Sequence, residues 1–439
     1  MRLIKAPFRP RGGVHPKYFK SVTAEKPVRV MPLPPVLYVA MSQHLGAPAK
    51  PLVKKGDAVL RGQPIGAANG FVSAAVHAPA AGKIKAVEDL PGPAGRAVTT
   101  VVIETDPADA ADQALAPLAD WRSVDPKLLV ERVAAAGIVG MGGAGFPTHV
   151  KLSPPAGKVM DTLIINGAEC EPYLTADYRL MLEQPERVWG GVEIIARILG
   201  VKHIAVAIED NKPAAIRGME TAMRAAPDTA ELVVLPTHYP QGAEKQQIYA
   251  VTGREVPSGG LPMDVGCLVE NAGTCAAILA AVSDGAPLTA RLVTVTGSLL
   301  RDPQNVCARI GTSFAGLVEF CGGPMMGLAQ GGLDAAMTKT TSGLLFLRRD
   351  QVSQFTSMPC ISCGRCVAAC PMGLMPCELS ELVETENFTG AEDGNVMDCI
   401  ECGACAYECP AHRPLVQHLR RGKAEVAARR RARQEQKGK

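Results

Sequence analysis

The alternation of apolar and polar residues divides the chain into segments of different periodicity. In the middle, short β-branched runs such as DTLIING (161–167) and KHIAVAIE (202–209) predict buried strands. Between them, PERVWGGVEIIARIL (185–199) repeats its apolar residues with the period of an amphipathic helix. KPAAIRGMETAMRAA (212–226) predicts another helix, and ELVVLP (231–236) another strand. Strands that alternate with helices predict a parallel sheet covered on both faces, here over residues 123–285.

Capping residues mark the ends of two of these helices. Asp125 can cap a helix whose first residue is Pro126, and Gly137 can end it. Gly200 can end the helix of residues 185–199. We therefore expect the first helix of this region to begin next to Asp125.

Residues 36–105 instead contain short apolar runs separated by Gly and Pro, which is typical of β structure. The pieces VKKGDAVLRGQPI (53–65) and VHAPAAGKIKAV (76–87) resemble the barrel-sandwich fold of lipoyl and biotinyl carrier domains. Those carriers need a lysine at the hairpin tip, and the tip here, NGFVSAAVHAP, has none. We expect a barrel-sandwich hybrid that serves as a docking or spacer module, preceded by an extended lead-in over residues 1–35.

The remaining segments complete a multidomain α/β and α+β chain. A linker covers residues 106–122, and β character returns over 288–345, where VTGSLLRDPQNVCARIGTSFAGLVEFCGG resembles the soluble-ligand-binding β-grasp module. A cysteine-rich, dicluster ferredoxin-like domain is predicted over 355–420, followed by a basic tail over 421–439.

Composition and charge narrow the class of protein. At 439 residues the chain is long enough for several domains, and it has no run near the roughly 20 apolar residues that a membrane-spanning helix needs. We expect a soluble or peripheral protein at the cytoplasmic face of the cell membrane. The net charge of +3 hides a basic segment after residue 410, which favours helix and could bind an anionic membrane surface or an acidic partner, or simply be solvated. It lacks the interleaved aromatic residues of a nucleic-acid-binding protein, so no nucleic-acid partner is expected.

The strongest chemical signal is a pair of cysteine runs with one spacing: Cys360-x2-Cys363-x2-Cys366-x3-Cys370-Pro371 and Cys399-x2-Cys402-x2-Cys405-x3-Cys409-Pro410. This spacing, proline included, wraps a cubane iron–sulfur cluster. Structural zinc is the alternative, but zinc sites usually use two C-x2-C pairs to close one tetrahedron. Disulfide frameworks belong to short secreted chains, and no secretory signal is visible. Cys377 has no partner in the pattern, and we expect most of the scattered cysteines to be core residues: Cys170, Cys267, Cys275, Cys307 and Cys321.

The two runs resemble a bacterial two-cluster ferredoxin, in which the fourth cysteine of each run ligates the other cluster. The resemblance implies two [4Fe–4S] clusters with crossed ligand sets. One set is Cys360, Cys363, Cys366 and Cys409. The other is Cys399, Cys402, Cys405 and Cys370.

A glycine-rich loop is the second candidate site. Residues 137–147, GIVGMGGAGFP, lie between a predicted helix and a predicted strand. Glycines let backbone N–H groups approach a phosphate or a flat ring, although this is not the G-x-G-x-x-G pattern of a dinucleotide fold, and a structural turn is the alternative. Asn166, Glu169 and Glu171 follow the strand DTLII, at the edge of the sheet where ligands bind. Lys151 could pair with a flavin phosphate or ring oxygen, and Asn271 could reach a ribityl hydroxyl.

The glycine-rich loop, the acidic turn of residues 166–172 and the segment around Asn271 resemble the FMN- and NADH-binding subunit of respiratory complex I over roughly residues 125–345. That subunit has a single-cluster domain and no N-terminal barrel. The full domain order, with the lead-in RGGVHP, resembles the RnfC family, whose members are the membrane-peripheral, NAD-facing subunits of Rnf complexes, ferredoxin:NAD oxidoreductases that pump Na⁺ or H⁺. The resemblance implies FMN, NAD(H) and two [4Fe–4S] clusters as cofactors, and other Rnf subunits as partners, including membrane subunits and a ferredoxin-accepting subunit.

The same resemblance implies roles for individual residues. Phe146 and Glu171 would face the nicotinamide nucleotide, and no side chain is expected to act as a nucleophile or as an acid–base pair. The residues implied to bind cofactor are Gly140, Gly142, Gly143, Lys151, Asn166, Glu169, Glu171, Glu244, Asn271 and Thr274. Two departures weaken the likeness to complex I. Met141 replaces an Arg of its loop, and GREVPSGGLP (253–262) lacks the Lys and Phe that contact NADH there.

The implied activity is hydride exchange between NAD(H) and FMN, combined with single-electron transfer through the clusters. A cobalamin reductase of the propanediol-utilisation microcompartment type shares the flavin, β-grasp and two-cluster parts, but the barrel and the RGGVHP lead-in argue against it. A non-catalytic electron conduit and a zinc-bound scaffold are further alternatives. Flavin, iron and sulfide content would distinguish them.

Overall fold

A computed structural model of the chain describes residues 1–92, 95–111, 115–323, 333, 335–352 and 356–437. Some residues of the predicted segments lie outside this part of the chain: 93 and 94 of the barrel, 112–114 of the linker, 324–332 and 334 of the β-grasp module, 355 at the start of the cluster domain, and 438 and 439 of the tail. Among the described residues, no helix is both long and apolar enough to cross a membrane.

The first part of the chain is mainly β. Its elements are β1 (Arg2–Lys5), α1 (Ser21–Ala24), β2 (Arg29–Val30), β3 (Val36–Ala40), β4 (Lys50–Pro51), β5 (Ala58–Val59), β6 (Pro64–Ala67), β7 (Val76–His77), β8 (Gly82–Pro91) and β9 (Ala97–Thr105). Two antiparallel sheets, ordered β3–β9–β8–β5 and β4–β6–β7, share an apolar core that includes Leu37, Ile65 and Ile103.

The middle of the chain alternates helices and strands as the sequence predicts. Its elements are α2 (Pro126–Ala135), α3 (Thr148–Lys151), β10 (Thr162–Gly167), α4 (Ala176–Glu183), α5 (Pro185–Leu199), β11 (His203–Glu209), α6 (Pro213–Ala222), β12 (Ala230–Leu235), α7 (Glu244–Thr252), a 3₁₀ turn (Pro262–Val265), β13 (Cys267–Asn271) and α8 (Ala272–Ser283). The sheet is parallel throughout, in the order β1–β12–β11–β10–β13. Its edge strand β1 comes from the lead-in, which the sequence pattern did not reveal.

The sheet is covered on both faces because successive residues of a strand point to opposite sides. Leu163 and Ile165 of β10 belong to the large core that α2, α5 and α8 close. Ile164 belongs to a second core, together with Ile248 of α7. Gly191 lets α5 approach α8 closely, since a Cβ there would lie 1.8 Å from the carbonyl oxygen of Cys275.

The predicted helix ends are confirmed. The Asp125 carboxylate accepts a hydrogen bond from the Lys127 amide, Pro126 is the first residue of α2, and Gly137 has a left-handed φ of +65° just after the helix. Gly200 ends α5 with φ +62°.

The β-grasp region contributes β14 (Ala290–Thr296), β15 (Gln304–Arg309), α9 (Phe314–Phe320) and β16 (Gly343–Leu345), in a sheet ordered β16–β14–β15–β2. The C-terminal part contains a 3₁₀ turn (Arg349–Gln351), α10 (Arg365–Ala369), α11 (Pro376–Glu384), α12 (Phe388–Asp393), a 3₁₀ turn (Val396–Asp398), α13 (Ala404–Tyr407) and α14 (Leu415–Lys437). Strand β2 again comes from the lead-in, which therefore joins two sheets.

The basic tail is helical, as its composition favours, and it packs on the cysteine-rich domain through α14. Leu419 and Val426 are buried against α11 and α12. Arg420 and Lys423 form ion pairs with Glu401, at 2.6 and 2.8 Å. Part of the tail's positive charge is therefore balanced within the chain.

Lys339 joins three parts of the protein. Its side chain, 1% exposed, donates hydrogen bonds to the carbonyl oxygens of Ala75 in the barrel (2.6 Å) and Gly137 after α2 (2.7 Å). Its backbone amide donates to the side chain of Gln43 (2.9 Å). The contact fixes the barrel and the β-grasp region against the start of the glycine-rich loop.

Burial lowers the pKa of Lys339 from 10.5 to about 7. Between these values the folded state binds fewer protons than the unfolded state, so stability should rise with pH in this window. Replacing Lys339 with Met removes the charge and leaves two buried carbonyls without a donor, which costs about 1–3 kcal/mol each. We predict that Lys339→Met lowers Tm, and that the wild type gains stability over the variant from about pH 7 to about pH 9.

Scanning calorimetry at both pH values would measure the effect. Lys202→Met, which changes an exposed lysine, is the control. An equal difference in Tm between wild type and Lys339→Met at both pH values would show that Lys339 does not titrate in this range.

Candidate functional site

The glycine-rich loop is a closed turn between two helices. It follows α2 and leads into the short helix α3, which the sequence pattern did not reveal, and the predicted strand β10 begins at Thr162. Val139 and Pro147 form an antiparallel bridge, and the amide of Gly140 donates to the carbonyl of Phe146 at 2.8 Å. Pro147 immediately precedes α3, and its ring restricts φ at this residue, which is −58°.

The middle of the loop offers an open surface. Gly142 has a left-handed φ of +80°, and a Cβ there would lie 2.9 Å from the Asn271 amide nitrogen. Gly143 is exposed, and no atom lies within 4 Å of the position of its absent Cβ. Backbone is therefore accessible at Gly143, as a flat ring or a phosphate would require.

Asn271 and Thr274 hold the loop against α8. The Asn271 side-chain oxygen caps α8 by accepting from the Gly273 amide (2.8 Å), and its amide donates to Asp177 (2.6 Å). The Thr274 hydroxyl accepts a hydrogen bond from the Met141 amide at 2.9 Å. The two predicted residues thus lie beside the loop, where they fix its position.

Lys151 lies among carboxylates. Its ammonium donates to the carbonyl of Val269 and forms ion pairs with Glu270 (3.3 Å) and Glu244 (3.5 Å). Burial alone would lower the pKa of Lys151, but Glu270 and Glu244 outweigh it and the pKa is raised. Glu270, 2% exposed, is a site residue that the sequence did not single out, although it directly precedes Asn271.

Asn166, at the carboxyl end of β10, connects strand and helix. Its amide donates to the carbonyl of Gly242 (2.9 Å), and its oxygen accepts from Gln247 of α7 (2.8 Å). Gln247 is fully buried, and its own side-chain oxygen has no hydrogen-bond partner among the described residues. The contact between Asn166 and Gln247 therefore fixes the end of β10 against α7.

The acidic turn uses its two carboxylates differently. Glu169 is buried, and its carboxylate accepts from the amides of Asp177 (2.7 Å) and Tyr178 (3.1 Å) at the start of α4. Burial raises the pKa of Glu169 to about 7, with Lys20 opposing the shift. Glu171 is exposed at the surface of the turn, and Phe146 is half-buried in the glycine-rich loop.

Lys20 of the lead-in binds the backbone of this turn. Its ammonium donates to the carbonyl oxygens of Glu169 (2.7 Å), Glu171 (2.9 Å) and Leu174 (2.5 Å). Phe19 stacks on Tyr173, with ring centroids 4.8 Å apart. Nothing in the sequence pattern linked residues 1–35 to the turn, because the contact spans about 150 positions of chain.

The cysteine runs form two groups in space. A cavity is lined by Cys370 of the first run together with Cys399, Cys402 and Cys405 of the second. Burial raises the pKa of the Cys405 thiol to about 12, and Cys402, Cys399 and Cys370 add to the shift. Because such a thiol ionises only beside a cation, this set fits a cluster that carries positively charged iron.

The other group contains Cys366 and Cys409. Burial raises the pKa of Cys366 to about 11, and Cys377 and Cys409 add to the shift. Cys360 and Cys363 of the same predicted set are exposed. Within the described ranges, no group of three or more His, Cys, Asp or Glu residues is arranged to hold a single metal ion.

Three parts of the chain match protein-family models. They are the RnfC barrel sandwich hybrid domain at residues 8–108, the Nuo51 FMN-binding domain at 133–280 and the 4Fe-4S dicluster domain at 354–410. The matches confirm the barrel-sandwich, flavin and dicluster parts of the predicted multidomain fold.

Curated relatives match over nearly the whole chain. The RnfC subunit of the proton-translocating ferredoxin:NAD(+) oxidoreductase complex of Clostridium ljungdahlii is 48% identical, covering 95% of this chain and 94% of its own. Its counterpart in the Na(+)-translocating complex of Acetobacterium woodii is 45% identical, covering 96% and 98%. The equivalent protein of the ion-translocating oxidoreductase complex of Rhodobacter capsulatus is 44% identical, covering 95% and 83%.

Solved structures are more distant. A chain of an NAD+-reducing [NiFe]-hydrogenase in the air-oxidized state is 19% identical over 68% of this chain and 63% of that chain, with a TM-score of 0.47. A similarity at this level carries no conclusion about the site.

Removing Lys20 should loosen the acidic turn. We predict that Lys20→Met speeds amide hydrogen exchange in residues 171–175 by about tenfold or more, because three carbonyls lose a charged donor. Mass-spectrometric exchange would measure it, with the exposed lead-in lysine changed in Lys17→Met as the control. Unchanged exchange in the Lys20 variant would mean that the turn is held by its other contacts.

The crossed ligand sets lead to a second prediction. Cys370→Ser should halve the iron content and remove the same electron paramagnetic resonance signal as Cys399→Ser, because both side chains line one cavity. Cys377→Ser, a cysteine outside the two sets, should keep its iron. If Cys370→Ser instead removes the signal that Cys360→Ser removes, each run holds its own cluster.

Proposed function

The chain belongs to the RnfC family of ion-translocating ferredoxin:NAD(+) oxidoreductase complexes, the Rnf complexes, and from this premise we propose how its residues divide the work of that subunit. It is an electron-transfer subunit with FMN, two [4Fe–4S] clusters and NAD(H) as its cofactors and substrate, and it assembles with other Rnf subunits. When bound, FMN exchanges a hydride with NAD(H) and single electrons with the clusters.

The accessible backbone at Gly143 is the observation that carries the assignment of the flavin site. It supports a flat ring lying against the loop, to which Gly140 and Gly142 also belong. The side chains proposed to surround the flavin and the nicotinamide nucleotide are Phe146, Lys151, Asn166, Glu169, Glu171, Glu244, Asn271 and Thr274. Phe146 and Glu171 would face the nicotinamide nucleotide.

These side chains bind and orient; none is proposed to act as a nucleophile or as an acid–base pair. Thr274 keeps the loop in place through the Met141 amide. Lys151 supplies one positive charge beside two carboxylates, so any anionic group of the cofactor that reaches it competes with Glu270 and Glu244. The Asn166 side-chain oxygen accepts from the Gln247 side chain and from the Ala168 amide, so Asn166 is held in a fixed orientation at the end of β10.

Two further features of the assignment rest on the family. The protein is proposed to lie at the cytoplasmic face of the membrane, next to membrane subunits and a ferredoxin-accepting subunit. Translocation of Na⁺ or H⁺ is assigned to those partners, since this chain is about equally similar to relatives from a proton-translocating and a Na(+)-translocating complex. The match to the barrel-sandwich model favours this assignment over a cobalamin reductase.

Gly143→Ala tests the proposed flavin position. An added methyl group meets no protein atom within 4 Å, so the flavin-free protein should keep its Tm, while FMN lying against the loop should bind about tenfold more weakly, a loss of about 1.4 kcal/mol. Gly142→Ala is the contrast, because its methyl group meets Asn271 and its backbone is left-handed, so this variant should lose stability as well.

Flavin titration and NADH oxidation with a one-electron dye, on protein purified without oxygen, are the measurements. Glu171→Gln should weaken the binding of NADH more than the binding of FMN. Full FMN affinity in Gly143→Ala would place the flavin elsewhere, and flavin-free wild-type protein that cannot be reconstituted would contradict the proposed activity.

A further inference from the structure

The two cysteine runs contain a matched pair of loops. Residues 360–364 and 399–403 share the sequence Cys-Ile-x-Cys-Gly. In each loop the third residue is left-handed (Ser362 at +54°, Glu401 at +57°), and so is the glycine (+71° and +83°). In each, the amide of the third residue donates to the first cysteine sulfur at 3.4 Å. Since local conformation is the same, any difference between the loops comes from what surrounds them.

The second loop faces the rest of the chain. All of residues 399–403 are partly buried. Tyr239, just after β12 and its sheet, donates to the carbonyl of Cys402 at 2.8 Å. The ammonium of Lys423 in α14 donates to the carbonyl of Cys399, also at 2.8 Å. Glu401 is paired with α14 as well, so both the backbone and the charge of this loop are satisfied within the protein.

Cys370 lines the same cavity as the second loop. The residues on either side of Cys370 accept hydrogen bonds from the lead-in and from the flavin-binding part. The amide of Gly13 donates to the carbonyl of Ala369 (2.9 Å), and the side chain of Gln246 in α7 donates to the carbonyl of Pro371 (3.2 Å). Gln246 directly precedes Gln247, the partner of Asn166. A short path of contacts therefore runs from the proposed flavin site to this cavity.

The first loop is exposed to solvent. Each residue from 356 to 365 is exposed, including both cysteines of the loop. Ile361 is 66% exposed and Met358 is 57% exposed, although both are apolar. Arg365 is the only charged residue in this stretch of sequence. An apolar surface around exposed metal-ligating thiols is typical of a protein contact, and a single positive charge is too little for binding to an anionic membrane.

We infer that residues 358–365 form the face on which a partner protein with its own one-electron redox centre docks. The second cluster is then the inner relay, beside the flavin, and the first cluster is the outer one. The inference rests on the proposed function. The partner is inferred to be a redox protein for two reasons. The second loop, of the same conformation, is covered by the flavin-binding part of this chain through Tyr239. In the first loop the ligands themselves, Cys360 and Cys363, are exposed. Two single-electron passages through this face, together with one proton exchanged with solvent, balance one hydride exchanged with NAD(H).

Met358→Glu, which lies outside the ligand loop of residues 360–364, tests the docking face in the assembled complex. A buried carboxylate at the contact should lower ferredoxin-dependent NAD⁺ reduction about tenfold or more and reduce co-purification of the other subunits. NADH oxidation by the isolated protein with a one-electron dye, and its iron and flavin content, should stay within about twofold of wild type, because the change leaves the cofactor sites intact. Val159→Glu, at an apolar residue of the α/β domain that is 78% exposed, is the matched control.

The outcomes separate the two proposals. Wild-type protein without NADH–dye activity would contradict the proposed function. Active wild type, with Met358→Glu assembling and turning over normally, would overturn only the docking face. Equal losses in Val159→Glu would also overturn it, since added charge anywhere would then disturb assembly.

Spectroscopy tests the order of the clusters without turnover. A soluble dysprosium chelate speeds relaxation of exposed paramagnetic centres in the isolated, reduced protein. We expect the stronger effect on the resonance signal that Cys360→Ser alters, and the weaker effect on the signal that Cys399→Ser alters. The opposite assignment would overturn the inference whatever the activity of the variants.

Discussion

The attachment of the cysteine-rich domain to the parallel sheet is the constraint on which the rest of the structure depends. Val14 of the lead-in pairs with Tyr239, and the Tyr239 hydroxyl reaches the carbonyl of Cys402. Electron transfer between a hydride acceptor and metal clusters needs fixed neighbours, which separate domains on flexible linkers would not provide. The lead-in makes this attachment rigid. It adds one strand to each of two sheets, β1 and β2, and between these strands it contacts the cysteine-rich domain.

Buried lysines secure the other junctions. Lys339 binds carbonyls of the barrel and of the residue after α2, Lys20 binds three carbonyls of the acidic turn, and Lys151 is neutralised by Glu270 and Glu244. Burying an ammonium is unfavourable unless its protons find acceptors, so each of these lysines specifies one arrangement of the segments around it. Lys339 and Lys151 lie beside the glycine-rich loop, and Lys20 contacts the acidic turn. The site is thus held by polar contacts between distant segments rather than by one continuous core.

Local signals predicted much of this architecture. The ends of α2 and α5 followed from Asp125, Pro126, Gly137 and Gly200, because capping depends on residues adjacent in sequence. Periodicity predicted β10, β11, β12, α5 and α6, and the resemblance to a two-cluster ferredoxin named the four cysteines that line one cavity. Sequence reasoning missed α3, the strands of the lead-in, and the roles of Lys20, Glu270 and Lys339. Each of these depends on a partner far away along the chain, or, for α3, on how Pro147 closes the loop.

The sequence by itself determined the composition of the protein: a lipoyl-like barrel without its lysine, an alternating α/β region with a glycine-rich loop, and two cysteine runs that end in proline. Only the tertiary structure decided orientation. It turned one Cys-Ile-x-Cys-Gly loop toward the sheet and left the other exposed, although their sequence pattern and backbone conformations agree. The physical reason is that spacing along the chain fixes which atoms can ligate a cluster together, whereas burial depends on which other segments pack against them, and that is a property of the whole fold.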